Sequence, residues 1–302
     1  PWARAAPQAP PEGGDPNAAR AAGGAPNRAQ PAGGLQLGRV ERVHATAADG
    51  TEIGAWLVLP PEASPEAPAP LALFVHGGPL MSWNGWHWRW NPHVLASRGY
   101  AVLLPDPAES TGYGRAFIAR GWGRWGEPHH ADLMAAVDVA VTRADIDPDR
   151  TAALGASFGG YMANWIAGHT DRFRAIVTHA SLWTLRAFHG TTDLGVLWER
   201  ELGDPYANRS RYEASSPDAH VGRIRTPMLV IHGERDYRVP ISEALALWTD
   251  LCRNGVAAKF LYFPDEHHWI VKPQNARLWY ETVLAFLDHH LRDQPWSPPT
   301  LL

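Results

Sequence analysis

The sequence predicts an α/β fold, a mainly parallel twisted sheet with helices on both faces, and two observations carry the prediction. Apolar strand-like runs at 71–76, 100–105, 151–154, 174–178, 228–232 and 258–263 are mostly separated by segments near 92–98, 130–144, 158–169, 242–254 and 275–292, where apolar residues recur three and four positions apart. Strands and helices alternating in this way build a parallel sheet covered on both sides. The second observation is Gly155-Ala156-Ser157-Phe158-Gly159-Gly160, which follows the apolar run Thr151 to Leu154 and opens the helical run Tyr161 to Ala167. A serine in a sharp strand-to-helix turn leaves no room for side chains two positions before and two after it, so glycine stands there for steric reasons.

Taken in order, residues 1–36 are Ala, Pro, Gly and Arg with almost no aliphatic side chain before Leu35, and read as a linker or disordered segment. Residues 37–295 form the expected catalytic domain, and 296–302 a C-terminal tail. The domain opens on an antiparallel pair: Arg39 to His44 alternates, Asp49-Gly50 is a hairpin signal, and Ile53 to Leu59 is the second strand. After the Pro-rich loop 60–70 the alternating pattern begins. In such sheets, functional groups collect on loops at the carboxyl ends of strands. Ser157, Asp236 and His268 each fall just after a strand-like run, so three separate loops can converge on one edge.

Composition narrows the function. The 302 residues are 45% hydrophobic, enough for one large domain but not for a second. With a net charge of −4 and only Lys259 and Lys272 as lysines, there is no basic stripe to neutralise phosphates, and nucleic acid is not an expected partner. The lone Cys252 excludes an internal disulfide and a thiolate zinc site. No run approaches the roughly 18 apolar residues of a membrane span, and no membrane partner is expected. One cysteine and no visible signal segment make the cytoplasm the default expectation, although the chain begins at Pro1 and not at a methionine.

A serine hydroxyl becomes a nucleophile by handing its proton to an imidazole, whose tautomer and charged form a carboxylate must support. In α/β-hydrolases these groups follow in the order Ser, acid, His. The run Met228 to His232 leads into Gly233-Glu234-Arg235-Asp236, where Asp236 is the natural acid and Glu234 the local competitor. The run Lys259 to Phe263 leads into Pro264-Asp265-Glu266-His267-His268-Trp269, and position alone leaves both histidines open as the base. The oxyanion needs two donors. One is the Phe158 N–H, and the other comes from His76-Gly77-Gly78-Pro79 after the first central strand.

These motifs are joined by Ser110-Thr111-Gly112-Tyr113-Gly114, Pro227 to Gly233 and Asp236-Tyr237-Arg238-Val239-Pro240. From about Leu37 to Leu291 the chain resembles the C-terminal catalytic domain of prolyl oligopeptidase family serine peptidases, nearest the acylaminoacyl-peptidase and dipeptidyl-peptidase branches. The resemblance implies a cofactor-free peptidase acting on short peptides, with Ser157 as nucleophile, Asp236 as acid and His268, directly before the aromatic Trp269, as base. It also implies an oxyanion hole from the Gly78 and Phe158 N–H groups, and sets His76 where the dipeptidyl-peptidase branch carries a tyrosine hydroxyl. Phe158, Trp183 and Val239 match positions lining the pocket for the residue before the scissile bond, and Arg238 a position that meets a substrate carbonyl.

Three departures stand out. Where many relatives have Asn-x-Arg-Gly-Ser, this chain has Asp106-Pro107-Ala108-Glu109-Ser110, so any ion pair made by that arginine is in question. His267 replaces a frequent glycine and is expected to point into solvent. Relatives also carry an N-terminal β-propeller that admits only short peptides; the chain is expected to be the tail piece of a longer polypeptide or a form without the propeller. A homo-oligomer stays open.

Trp83 to Trp90 reads equally as a cap over the pocket or as a structural aromatic cluster with Arg89 on an indole. His129-His130 and His289-His290 lack metal-ligand context, and no metal is expected. Glu201 and Asp204, in a loop-rich insertion, are expected to be solvated charges. Two rival functions share the same residues: an esterase or lipase on this fold, and a non-catalytic hydrolase-fold binding module.

Overall fold

A computed structural model describes residues 37–300. The expected linker 1–36 and the last two residues of the expected tail lie outside that range.

Among the described residues, eight strands form one sheet in the order β1-β2-β4-β3-β5-β6-β7-β8. They are β1 (Arg39–Thr46), β2 (Glu52–Leu59), β3 (Ala69–Val75), β4 (Ala101–Pro105), β5 (Ile146–Ala156), β6 (Ala175–His179), β7 (Met228–Gly233) and β8 (Ala258–Phe263). β1 pairs antiparallel with β2 and β2 with β4, while β3 to β8 run parallel. The two classes of strand differ in burial. β3, β4 and β6 are buried at every position, as a sheet covered on both faces requires, whereas β1 is half exposed at the edge.

The helices are α1 (Pro92–Ala96), α2 (Arg115–Gly121), α3 (Glu127–Val141), α4 (Phe158–His169), α5 (Leu185–Thr191), α6 (Gly195–Leu202), α7 (Arg209–Ala214), α8 (Ile241–Arg253) and α9 (Pro273–Arg292), with a 3-10 turn at Pro217–Arg223. Alternate strand residues feed two cores. Leu57, Leu73 and Val230 face one that includes Leu133 of α3, Tyr161 of α4 and Leu247 of α8. Val58, Phe74 and Leu229 face the other, closed by Leu95 of α1 and Val283, Phe286 and Leu287 of α9.

One expectation changes. The segment between β6 and β7 is not a loop-rich insertion but α5, α6, α7 and the 3-10 turn, each too short to display a sustained period. In the expected tail, Trp296 packs on Phe286 and lies 4.1 Å beneath the Lys259 ammonium.

Candidate active site

Ser157 stands between β5 and α4 with φ 60° and ψ −124°, a conformation uncommon outside glycine. Two bonds hold it there: its N–H donates to His179 O at 3.0 Å, and its carbonyl accepts from Tyr161 N–H at 2.9 Å. A Cβ on Gly155 would lie 2.0 Å from Gly159 O, and one on Gly159 would lie 2.1 Å from Val75 O. Strand, turn and helix therefore meet at backbone contact, which is why the glycine spacing is obligatory. Ser157 also sits over the N-terminus of α4, whose first N–H groups have no acceptor within the helix.

The loop after β7 carries Asp236 and the loop after β8 carries His268. His268 Nδ1–H donates to Asp236 Oδ2 at 2.7 Å, leaving Nε2 as the free ring nitrogen. Asp236 is 2% exposed, and its other oxygen accepts from the N–H groups of Arg238 and Val239 at 3.0 and 2.9 Å. Beneath it, His232 donates from Nε2 to Val239 O at 2.8 Å, and burial holds this ring below its ordinary pKa. The competitors Glu234 and His267 are both exposed.

Glu266, which sequence reasoning passed over, shapes the histidine loop. It is buried and accepts from Val271 N–H at 3.2 Å, Lys272 N–H at 2.9 Å and Asn275 Nδ2 at 2.9 Å. Its carbonyl takes the Arg235 N–H at 2.9 Å, stitching the two catalytic-edge loops together.

The glycine loop after β3 lies against the elbow: a Cβ on Gly77 would be 3.2 Å from Ser157 Cβ. Gly78, at φ 126°, has a backbone that side chains rarely permit. The expectation for His76 needs correcting. Burial keeps its ring neutral, Nδ1–H donates to Gly77 O at 2.7 Å, and Nε2 accepts from Ser110 Oγ at 2.9 Å. With both nitrogens used inside the loop, the ring props the loop and has no donor left for an oxyanion. Asp106 fixes the same loop from below, accepting from Trp83 N–H at 2.8 Å and Tyr113 OH at 2.7 Å.

Phe158, Trp183 and Val239 are all buried around the elbow and the Asp236 loop. Glu243 holds Trp183 by accepting the N–H groups of Trp183 and Thr184, each at 2.8 Å, and burial pushes its carboxyl up to about 7. Trp183 Nε1 donates to Asp250 at 2.7 Å. The Arg238 guanidinium pairs at the surface with Asp193 at 2.7 Å. Arg89 lies over Trp269, not over an indole of its own cluster, while Trp83 and Trp90 pack on Phe74. The aromatic run thus braces the histidine loop.

Asp204 is exposed as expected, but Glu201 is not: it is buried and accepts from Trp125 Nε1. The residue lies on the inner face of α6, one turn from Trp198, so it turns inward with the apolar side. Among the described residues, no three His, Cys, Asp or Glu side chains are grouped to hold a metal ion.

Residues 86–294 match the model of the Prolyl oligopeptidase family (Peptidase_S9). The chain is 39% identical over 252 residues to a probable dipeptidyl-peptidase 5 of Emericella nidulans, covering 81% of this chain and 35% of that protein. It is also 39% identical to dipeptidyl-peptidase 5 of Schizosaccharomyces pombe, over 84% of this chain and 38% of the relative. It therefore spans little more than a third of the length of these relatives. Among solved structures, a Mycobacterium tuberculosis puromycin-hydrolyzing peptidase superposes with a TM-score of 0.79 at 28% identity, covering 87% of this chain and 40% of that one. Acylaminoacyl peptidase of Pyrococcus horikoshii superposes at 0.81 with 24% identity over 87% of this chain and 43% of its own, a likeness of fold. The fold is the α/β-hydrolase fold, and the chain belongs to the prolyl oligopeptidase family.

Proposed function

We propose that the chain is a serine peptidase domain that cleaves peptide or acyl-aminoacyl bonds of short peptides through an acyl-enzyme. The observation that carries this reading is the His268–Asp236 bond at the carboxyl edge that also holds the strained Ser157. In this mechanism His268 Nε2 takes the Ser157 proton as Oγ attacks the carbonyl, and buried Asp236 supports the imidazolium. The N–H groups of Gly78 and Phe158 receive the oxyanion. His268 then protonates the leaving amine, and water repeats the cycle to release the acid.

Phe158, Trp183 and Val239 give the pocket next to the scissile bond an apolar, aromatic wall. Arg238 reaches a substrate carbonyl by sharing its guanidinium with Asp193. The exopeptidase or acyl preference follows from which substrates the pocket and its approaches admit.

The test is hydrolysis of free-amino and N-acetylated aminoacyl p-nitroanilides beside a short-chain aryl ester. Anilide turnover with a clear preference between the two panels supports the reading and names the branch. Ester turnover without any anilide cleavage would assign the site to an esterase.

A further inference from the structure

Four buried side chains outside the triad close a loop around Phe158. Glu109 follows β4, Trp125 precedes α3, His129 lies in α3 and Glu201 in α6. His129 Nε2 lies 2.9 Å from Glu109 Oε2, and Trp125 Nε1 donates to Glu201 Oε1. The Glu109 and Glu201 carboxyls are within hydrogen-bond reach of each other. At the two free ends of this chain, Trp125 and His129 meet the Phe158 ring edge-on, with centroids at 5.0 and 4.9 Å.

The proton count follows from the partners. Glu109 Oε1 is buried and, among the described residues, receives no N–H or hydroxyl, so the donor within its reach is a carboxylic acid on Glu201. Two carboxylates this close in a buried site cannot both ionise. Burial raises both carboxyls, and the charge on Glu109 raises Glu201 further, so the proton resides on Glu201. Burial keeps His129 neutral, and its Nε2–H is the second donor to Glu109. With one proton in the pair, every carboxyl oxygen that faces a donor is satisfied. Removing that proton leaves two adjacent anions behind the Phe158 ring.

We propose that the Glu109–Glu201 pair, holding one shared proton, is a positioning device for the oxyanion hole: through Trp125 and His129 it fixes Phe158, and with it the N–H that receives the oxyanion. The proposal rests on the hydrolytic reading above. Loss of the proton replaces the bond between the two carboxyls by repulsion, which pushes apart the side chains that hold Trp125 and His129, so turnover falls on the alkaline side while substrate affinity changes little.

The other charged and titratable groups around the pair are held by partners of their own or by burial. Arg120 of α2 is bonded to Asp132 of α3 at 2.7 Å. Arg211 of α7 donates to Leu202 O. Tyr161 and Tyr212 are pushed well up by burial, Tyr212 to about 12, and His76 is held down.

The experiment is the pH dependence of kcat and KM between pH 6 and 10.5 for wild type, Glu201→Gln, Glu201→Ala and Trp125→Phe, with circular dichroism to establish folding. Gln supplies a permanent N–H to Glu109 and keeps an acceptor for Trp125. Glu201→Gln should therefore hold kcat within about 3-fold of wild type at pH 7 and lose the alkaline limb, with the acid limb unmoved. Glu201→Ala should lower kcat by roughly 10- to 100-fold with KM changed less than about 2-fold, within the range of a damaged oxyanion donor. Trp125→Phe should fall between. A wild type without an alkaline limb, or a Glu201→Gln limb that coincides with wild type, would overturn the device while leaving the triad intact. An inactive wild type would instead sink the hydrolytic reading and the device with it.

Discussion

Asp236 and Glu201 are both buried acids near the elbow, yet their surroundings give them different partners and different work. Asp236 sits in a loop whose backbone N–H groups point at it, and it has an imidazole on its second oxygen, so both carboxyl oxygens face donors. Glu201 has an indole N–H on one side and another carboxyl on the other, so burial and the neighbouring charge favour the acid. Burial alone does not decide what a carboxyl does; the groups that face it do. The two regions also differ in how they are built. The Asp236 loop is a short turn at the end of a fully buried strand, while Glu201 is carried in on a two-turn helix that inserts only Trp198, Glu201 and Leu202.

The sharpest way to break this comparison is to make the same isosteric change at both acids. Asp236→Asn should cost on the order of 10⁴-fold in kcat, because the amide mis-sets the His268 tautomer, whereas Glu201→Gln should cost little at pH 7. Steady-state kinetics on one anilide substrate compare them directly; similar losses at both sites would end the distinction.

A second, smaller effect concerns Trp183, proposed above as part of the pocket wall. Trp183→Ala removes a fully buried indole and with it the Nε1 donor to Asp250, while the backbone N–H bonds to Glu243 stay, so unfolding in urea should show a loss of roughly 3–5 kcal/mol. A change under about 1 kcal/mol would mean that the wall collapses around the gap.

Glu266→Ala sharpens the account of the histidine loop. It strips acceptors from two backbone N–H groups and Asn275, costing roughly 1–3 kcal/mol and lowering Tm by a few degrees. The drop in kcat should exceed any change in KM, because His268 loses its fixed approach.

The smallest effect is a slope. A carboxyl with a raised native pKa binds a proton that the unfolded chain has released, so its contribution to stability falls as pH rises above the ordinary carboxyl range. Between pH 5 and 8 the stability of Glu201→Gln, measured by urea titration, should therefore decline less steeply than that of wild type. Parallel curves would place the proton elsewhere.

How much of this was legible depends on the physics each residue obeys. The parallel strands were readable because a strand covered on both faces must be apolar throughout, as in Ala69–Val75. The elbow was readable because backbone contact demands glycine at Gly155 and Gly159. Helix α3 begins at Glu127, three residues before the expected start, and Pro128 in its first turn was the available signal. Helices α5 to α7 were not legible, since α7 buries only Tyr212 and α5 only Leu185 and Phe188. Glu201 looked like a surface charge because nothing in its local sequence announces Trp125 or Glu109, which reach it from other elements.

The most direct test of the central claim is reaction with a fluorophosphonate, with the modified residue located by peptide mass mapping in wild type and in His268→Ala. The account predicts a single adduct on Ser157 that forms rapidly in wild type and is slowed by orders of magnitude without the imidazole. An unmodified Ser157, or an adduct whose rate ignores His268, would contradict it.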